Sequence, residues 1–185
     1  GNGGALKTGW LKDNNMWYYL QGDGTMVTGY KIINSKTYAF DNGGKMLTGW
    51  ISVNNVWYYL NSGGHMATGW INVGGKKYYL YDTGAMSKGW INLNGSWYYM
   101  SNSGAMTTGW QNVGGTWYFM STSGAMTKGW QKVGGKWYFL QSSGAMKTGW
   151  LNDNGTWYYL NADGSMAANT YVDGYYVGSN GAWVK

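Results

Sequence analysis

The chain has 185 residues, 19% of them aromatic, with no Cys, no Pro and a net charge of +6 that comes from Lys alone. The lack of Cys excludes disulfides and thiolate metal sites, and the aromatic content argues against disorder. The lysines are scattered and Arg is absent, which leaves a polyanionic partner plausible but argues against a sequence-reading nucleic-acid binder, and no run of about 18 apolar residues could insert in a membrane.

The opening Gly3-Gly4-Ala5-Leu6-Lys7-Thr8-Gly9-Trp10 matches Ser143-Gly144-Ala145-Met146-Lys147-Thr148-Gly149-Trp150. Residues 1–8 are therefore read as a partial unit, with the array expected to continue upstream of Gly1. Eight units follow over residues 9–168, starting at the rings Trp10, Tyr30, Trp50, Trp70, Trp90, Trp110, Trp130 and Trp150. A 20-residue unit cannot bury its own apolar face, so the whole chain reads as one array.

Four residues after each leading ring comes a turn pair, such as Asn14-Asn15, Gly74-Gly75 or Asn94-Gly95. Asn and Gly tolerate the positive φ that a type I′ turn requires. Short runs of β-branched and aromatic residues flank each pair. The expected fold is all-β: a solenoid of stacked two-stranded β-hairpins with a 20-residue repeat.

With Asn94-Gly95 as the turn, Trp90 opposes Tyr99, Ile91 opposes Tyr98, Asn92 opposes Trp97 and Leu93 opposes Ser96. Directly opposed residues share a face. One face then carries Trp90, Asn92, Trp97 and Tyr99; the other carries Ile91, Leu93, Tyr98 and Met100. Stacking should bring the paired Trps of one hairpin against the first Tyr of the next, a position that is Tyr in all eight units, from Tyr18 to Tyr158.

Residues 169–185 break the pattern. They keep an Asp173-Gly174 turn and a Tyr175-Tyr176-Val177 strand but lack a leading Gly-Trp. Trp183 stands where other units have Met. This end reads as an atypical capping hairpin.

No catalytic set emerges. His65, the one His, lies in a Gly-rich loop with no partner at triad spacing. Nearly all of the seven Asp (Asp13, Asp23, Asp41, Asp82, Asp153, Asp163 and Asp173) fall in turns or loops, without a repeated carboxylate pair or calcium-loop density. No cofactor, metal or enzyme activity is expected of this chain. The rings differ. As structure alone they would form a stacking ladder with Met as filler. Two Trps on the less aliphatic face exceed that need, and a box of electron-rich ring faces suits a quaternary ammonium. Sugar stacking is the competing use of the same rings.

The run from Gly149-Trp150 through Trp157-Tyr158-Tyr159-Leu160 to Met166 resembles the choline-binding repeat of Gram-positive surface proteins and phage lysins, and the pattern covers essentially the whole chain. The ending NTYVDGYYVGSNGAWVK resembles that of pneumococcal choline-binding proteins. The resemblance implies a superhelix of hairpins on the bacterial cell surface. It implies binding of choline or phosphocholine of teichoic and lipoteichoic acids in pockets between repeats. Each pocket would take two Trps from one hairpin, a Tyr from the next, and a Met. Glucan-binding and clostridial toxin repeats share the skeleton; the paired Trps favour choline. The same array could target a hydrolase whose catalytic domain lies outside this chain.

Carried onto this sequence, five pockets are complete: Trp10, Trp17, Tyr38; Trp50, Trp57, Tyr78; Trp90, Trp97, Tyr118; Trp110, Trp117, Tyr138; and Trp130, Trp137, Tyr158. A sixth, Trp150, Trp157 and Tyr175, sits at the altered end. The Met assigned to each is the one closing the unit of its Trps: Met26, Met66, Met106, Met126, Met146 and Met166. Two units depart. The second has Tyr30, Thr37 and Ala39, and the fourth has Lys77 where Trp belongs. Both are expected to bind weakly or not at all.

Overall fold

The computed structural model describes residues 5–184. The first four residues of the partial unit and the last residue of the cap lie outside the described residues. The chain divides into two compact units, Gly1–Lys88 with Asn102–Ala105, and Gly89–Ser101 with Met106–Lys185.

The first unit holds four antiparallel hairpins: Gly9–Asp13 with Met16–Leu20, Gly29–Ile33 with Lys36–Phe40, Gly49–Val53 with Val56–Leu60, and Gly69–Val73 with Lys76–Leu80. The second holds Gly89–Leu93 with Ser96–Met100, Gly109–Val113 with Thr116–Met120, Gly129–Val133 with Lys136–Leu140, and Gly149–Asp153 with Thr156–Leu160. It ends in the shorter pair Thr170–Val172 and Tyr175–Val177. Among the described residues there is no helix and no closed sheet. The fold is all-β, as expected.

Turn chemistry explains the hairpins. Asn14 and Asn15 have φ of 47° and 62°, and Asn94 and Gly95 have 51° and 85°. Both central residues are left-handed, and such a turn matches the twist of the flanking strands. Even Ser35, the least suited of these residues, adopts φ of 62°. The turn fixes the register: Trp90 faces Tyr99, Ile91 faces Tyr98, and Asn92 faces Trp97.

Burial then sorts the faces. From the third hairpin on, the residue closing each hairpin is the core, whereas Leu20 in the first is only half-buried. Leu60 and Leu80 in the first unit, and Met100, Met120, Leu140, Leu160 and Val177 in the second, are all fully buried. Burying one such side chain is worth about 1.5–3 kcal/mol. The first unit adds a cluster of Val27, Ile33 and Phe40, backed by Tyr19, Tyr38 and Met46.

Within each compact unit, a hairpin is tied to the one before it by the loop segment that follows it. Met146 bridges Leu140 of its own unit, while its N–H donates to the Trp117 carbonyl of the preceding hairpin at 2.8 Å. The same bond runs from Met46 to Trp17, Met86 to Trp57, Met126 to Trp97 and Met166 to Trp137. Trp183 substitutes for Met in the last hairpin: it bridges Val177, and its N–H donates to the Trp157 carbonyl at 2.8 Å. The methionine side chains also reach forward. A Cβ at Gly124, where φ is +87°, would stand 2.3 Å from Met106 Sδ. Glycine is needed there both for φ and for the close approach.

Candidate functional site

Paired indoles form an open corner on each complete hairpin. Trp10 and Trp17 have ring centroids 6.2 Å apart at 89°, and Trp50 and Trp57 stand 6.5 Å apart at 82°. In the second unit Trp90–Trp97, Trp110–Trp117 and Trp130–Trp137 repeat the arrangement at 6.3–6.4 Å and 85–87°. The register causes this. Trp90 opposes Tyr99 and Trp97 opposes Asn92, so the two indoles meet diagonally on one face. An edge-on meeting leaves the π-face of the second ring free.

The first Tyr of the next hairpin supplies a third ring. Tyr38 lies 4.8 Å from Trp10, Tyr78 4.9 Å from Trp50, Tyr118 4.8 Å from Trp90, Tyr138 4.9 Å from Trp110 and Tyr158 4.9 Å from Trp130. The second aromatic of the triplet is backing instead: Tyr99 and Phe119 contact Trp90 and Trp110 from within their own hairpins at 5.0 Å.

The corners are not filled by packing. Trp17, Trp57, Trp97, Trp117, Trp137 and Trp157 each keep 40–42% of their surface exposed. A cavity of 390 Å³ lies against Trp10, Trp17, Tyr38, Met46, Ser62 and Gly63. Another of 400 Å³ lies against Trp130, Trp137, Tyr158, Met166, Ser179 and Asn180.

The methionine assignments shift by one unit. Met46, not Met26, lines the Trp10 cavity, and Met166, not Met146, lines the Trp130 cavity. The N–H bond to the preceding Trp carbonyl is the physical reason: it places the Met of the next unit beside the Trps of this one. By that bond Met86, Met126 and Met146 stand beside Trp57, Trp97 and Trp117, where Met66, Met106 and Met126 had been expected. Met66 instead bonds the Thr37 carbonyl, and Met106 packs toward Gly124.

At the last hairpin the Met166 expected beside Trp150 is replaced by Trp183. Trp150, Trp157, Tyr175 and Trp183 line a cavity of 280 Å³. Tyr175 lies 5.9 Å from Trp150 and 5.5 Å from Trp183, perpendicular to both.

Charged residues beside the rings were not assigned a role from sequence. The Trp130 indole N–H donates to Asp153 Oδ2 at 2.9 Å, and that of Trp150 to Asp173 Oδ2 at 3.4 Å. Asp153 occupies the last strand position before the turn, where Val113 and Val133 stand in neighbouring units. That switch from apolar to Asp was the available signal. Lys12 Nζ lies 5.6 Å from the Trp17 ring centroid and Lys132 Nζ 5.8 Å from that of Trp137, each directly across the hairpin.

In the second hairpin Thr37 opposes Ile32 and no indole is present. Burial, and secondarily the nearby Tyr58, raise the Tyr30 phenol above its ordinary pKa. His65 bridges Tyr38 and its ring bonds Asn61. Burial, then Lys36, hold its pKa below the usual histidine value. No group of three or more potential metal ligands occurs among the described residues.

Comparisons with known proteins agree on one relationship. The family model described as choline-binding repeat matches residues 7–48, 27–68, 47–86, 67–109 and 127–171. A second, for a cell wall binding repeat, matches 108–126. No curated protein matches the chain. Among solved structures, CbpJ of Streptococcus pneumoniae TIGR4 superposes with a TM-score of 0.89 at 38% identity, over 97% of this chain and 72% of that one. Choline binding protein F of Streptococcus pneumoniae gives 0.82 at 41% identity, over 91% of this chain and 61% of that one. The choline-binding domain of CbpL, from the same organism, gives 0.72 at 35% identity, over 97% of this chain and 98% of the domain.

Proposed function

The chain belongs to the choline-binding repeat family, and we propose that it is a non-catalytic module attaching a secreted protein to the choline of teichoic and lipoteichoic acids on a bacterial cell wall. The observation that carries this is the repeated three-ring corner, five times over, with the outer indole left open in each. A quaternary ammonium has no N–H, so carboxylate hydrogen bonds gain it little. Ring faces attract its charge, and a thioether wall suits its methyl groups.

A desolvated cation–π contact is worth roughly 2 kcal/mol. Two or three contacts, less the cost of ordering the ligand, leave about 4 kcal/mol, a Kd near ~1 mM. One corner is a poor anchor at that affinity. Several corners on a polymer carrying many headgroups gain about 10²–10⁴ in avidity without new contacts. The repeat is thereby part of the function.

The test is retention on a resin displaying a choline-like quaternary amine. Elution by free choline, with no elution by dextran, is the expected result. Release by dextran and indifference to choline would transfer the rings to sugar stacking.

A further inference from the structure

The terminal hairpin differs from the Met-walled corners in its lining. Its cavity has four aromatic walls, because Trp183 fills the slot that Met46 and Met166 hold in the Trp10 and Trp130 cavities. Behind it the Trp150 indole N–H donates to the Asp173 carboxylate. We propose that the pocket of Trp150, Trp157, Tyr175 and Trp183 is the highest-affinity quaternary-ammonium site of the array and fills before the Met-walled corners. The inference rests on the choline-binding reading and refines it.

The physical case has three parts. A fourth ring face replaces a thioether, and a ring face offers a negative quadrupole where sulfur offers only polarisability. Tyr175 stands perpendicular to both Trp150 and Trp183, so its ring adds a wall at right angles to each. The Asp173 charge, fixed by its turn, polarises the Trp150 ring and attracts the cation directly. Asp173 is a positioning and electrostatic residue here, since its contact is with the indole. The Trp130 corner has the same aid from Asp153 at 2.9 Å but keeps the Met wall. It also has Lys132 across from Trp137, an ammonium that opposes a cationic ligand. The order expected is therefore the terminal pocket first, by about tenfold for one added ring contact.

The experiment is calorimetric titration of the full chain with choline chloride, joined to crystals soaked at choline concentrations that leave sites partly filled. The wild type should show about one equivalent bound roughly tenfold more tightly than the rest, with density in the Trp150 pocket before the Trp90, Trp110 and Trp130 corners. Trp183→Met, which gives this slot the residue found in the other units, should remove the tight class and leave the weaker one. Asp173→Asn keeps the left-handed turn and removes only the charge. It should weaken the tight class about twofold to threefold at low salt. Uniform occupancy in the soaked crystals, or a Trp183→Met titration superimposable on the wild type, overturns the ranking while choline binding stands. If Trp183→Met does not fold, the soaked wild-type crystals and Asp173→Asn decide. The absence of any choline binding overturns both readings.

Discussion

Replacing Trp97 with Ala tests a single corner with little disturbance to the fold. Trp97 is 42% exposed and meets Trp90 edge-on at 6.3 Å. Its loss forfeits an aromatic pair worth about 0.5–1.5 kcal/mol. The bond from the Met126 N–H to the Trp97 carbonyl is backbone and survives the substitution. The cost to binding at that corner is larger in proportion. One of three ring faces goes, about 1–2 kcal/mol, or roughly fivefold to thirtyfold in Kd at one site. Calorimetry with choline should show one fewer equivalent bound in the millimolar range, with the remaining affinities unchanged. Trp90→Ala should lose the same equivalent and more stability, because Trp90 also packs on Tyr99 at 5.0 Å and Tyr118 at 4.8 Å. An unchanged stoichiometry in Trp97→Ala would refute the corner as a binding element.

Four other outcomes follow from the same geometry. Gly124→Ala should destabilise the chain by about 1–3 kcal/mol, read as a lower urea midpoint, since the new methyl meets Met106 at positive φ. Thr37→Trp should add one choline equivalent in calorimetry, by giving the second hairpin the indole that it lacks between Tyr30 and the Tyr58–Met66 side of the next unit. Choline at about 10 mM should stabilise by about 1.4 kcal/mol per occupied site of ~1 mM Kd, visible as a Tm rising with concentration. Asp163 has its pKa lowered, chiefly by the Ser165 hydroxyl and then by the Ser165 N–H. The folded state thus binds the proton less readily than the unfolded one, and the stabilisation is present above the unfolded value of 3.8 and lost as pH falls below it. The Tm gap between wild type and Asp163→Asn should close as the pH is taken from about 6 to well below the unfolded value of 3.8.

Most of the hairpin was legible because turn, register and face are local. Asn94-Gly95 dictates a two-residue turn, and the turn dictates that Trp97 lies across from Asn92 and diagonal to Trp90. The third wall was legible one step further out, since stacked hairpins meet face to opposite face and only the first Tyr is on the facing side. The methionine was not. A strict period of 20 residues states that every unit is alike, but not which neighbour a loop residue leans on. Met46 joins the Trp17 side through a hydrogen bond spanning 29 positions, and no periodicity encodes that choice. The terminal pocket was obscured for a similar reason. Its hairpin lacks the leading Gly-Trp, yet the Trp183 N–H bonds the Trp157 carbonyl and its ring meets Tyr175 at 5.5 Å, contacts that the broken pattern conceals. Asp153 ends a strand and Asp173 sits in a turn, and their carboxylates also receive the indole N–H of the hairpin before.

The charge of the ligand is the most direct thing to vary. Choline and its neutral carbon isostere 3,3-dimethyl-1-butanol share a shape and differ by one positive charge, so paired calorimetric titrations isolate the attraction of ring faces for a cation. Choline binding at about 1 mM, with the isostere weaker by about tenfold or more, is the result expected of electron-rich aromatic corners. Equal affinities would reduce the corners to apolar clefts, and no response to either compound would remove them as binding sites.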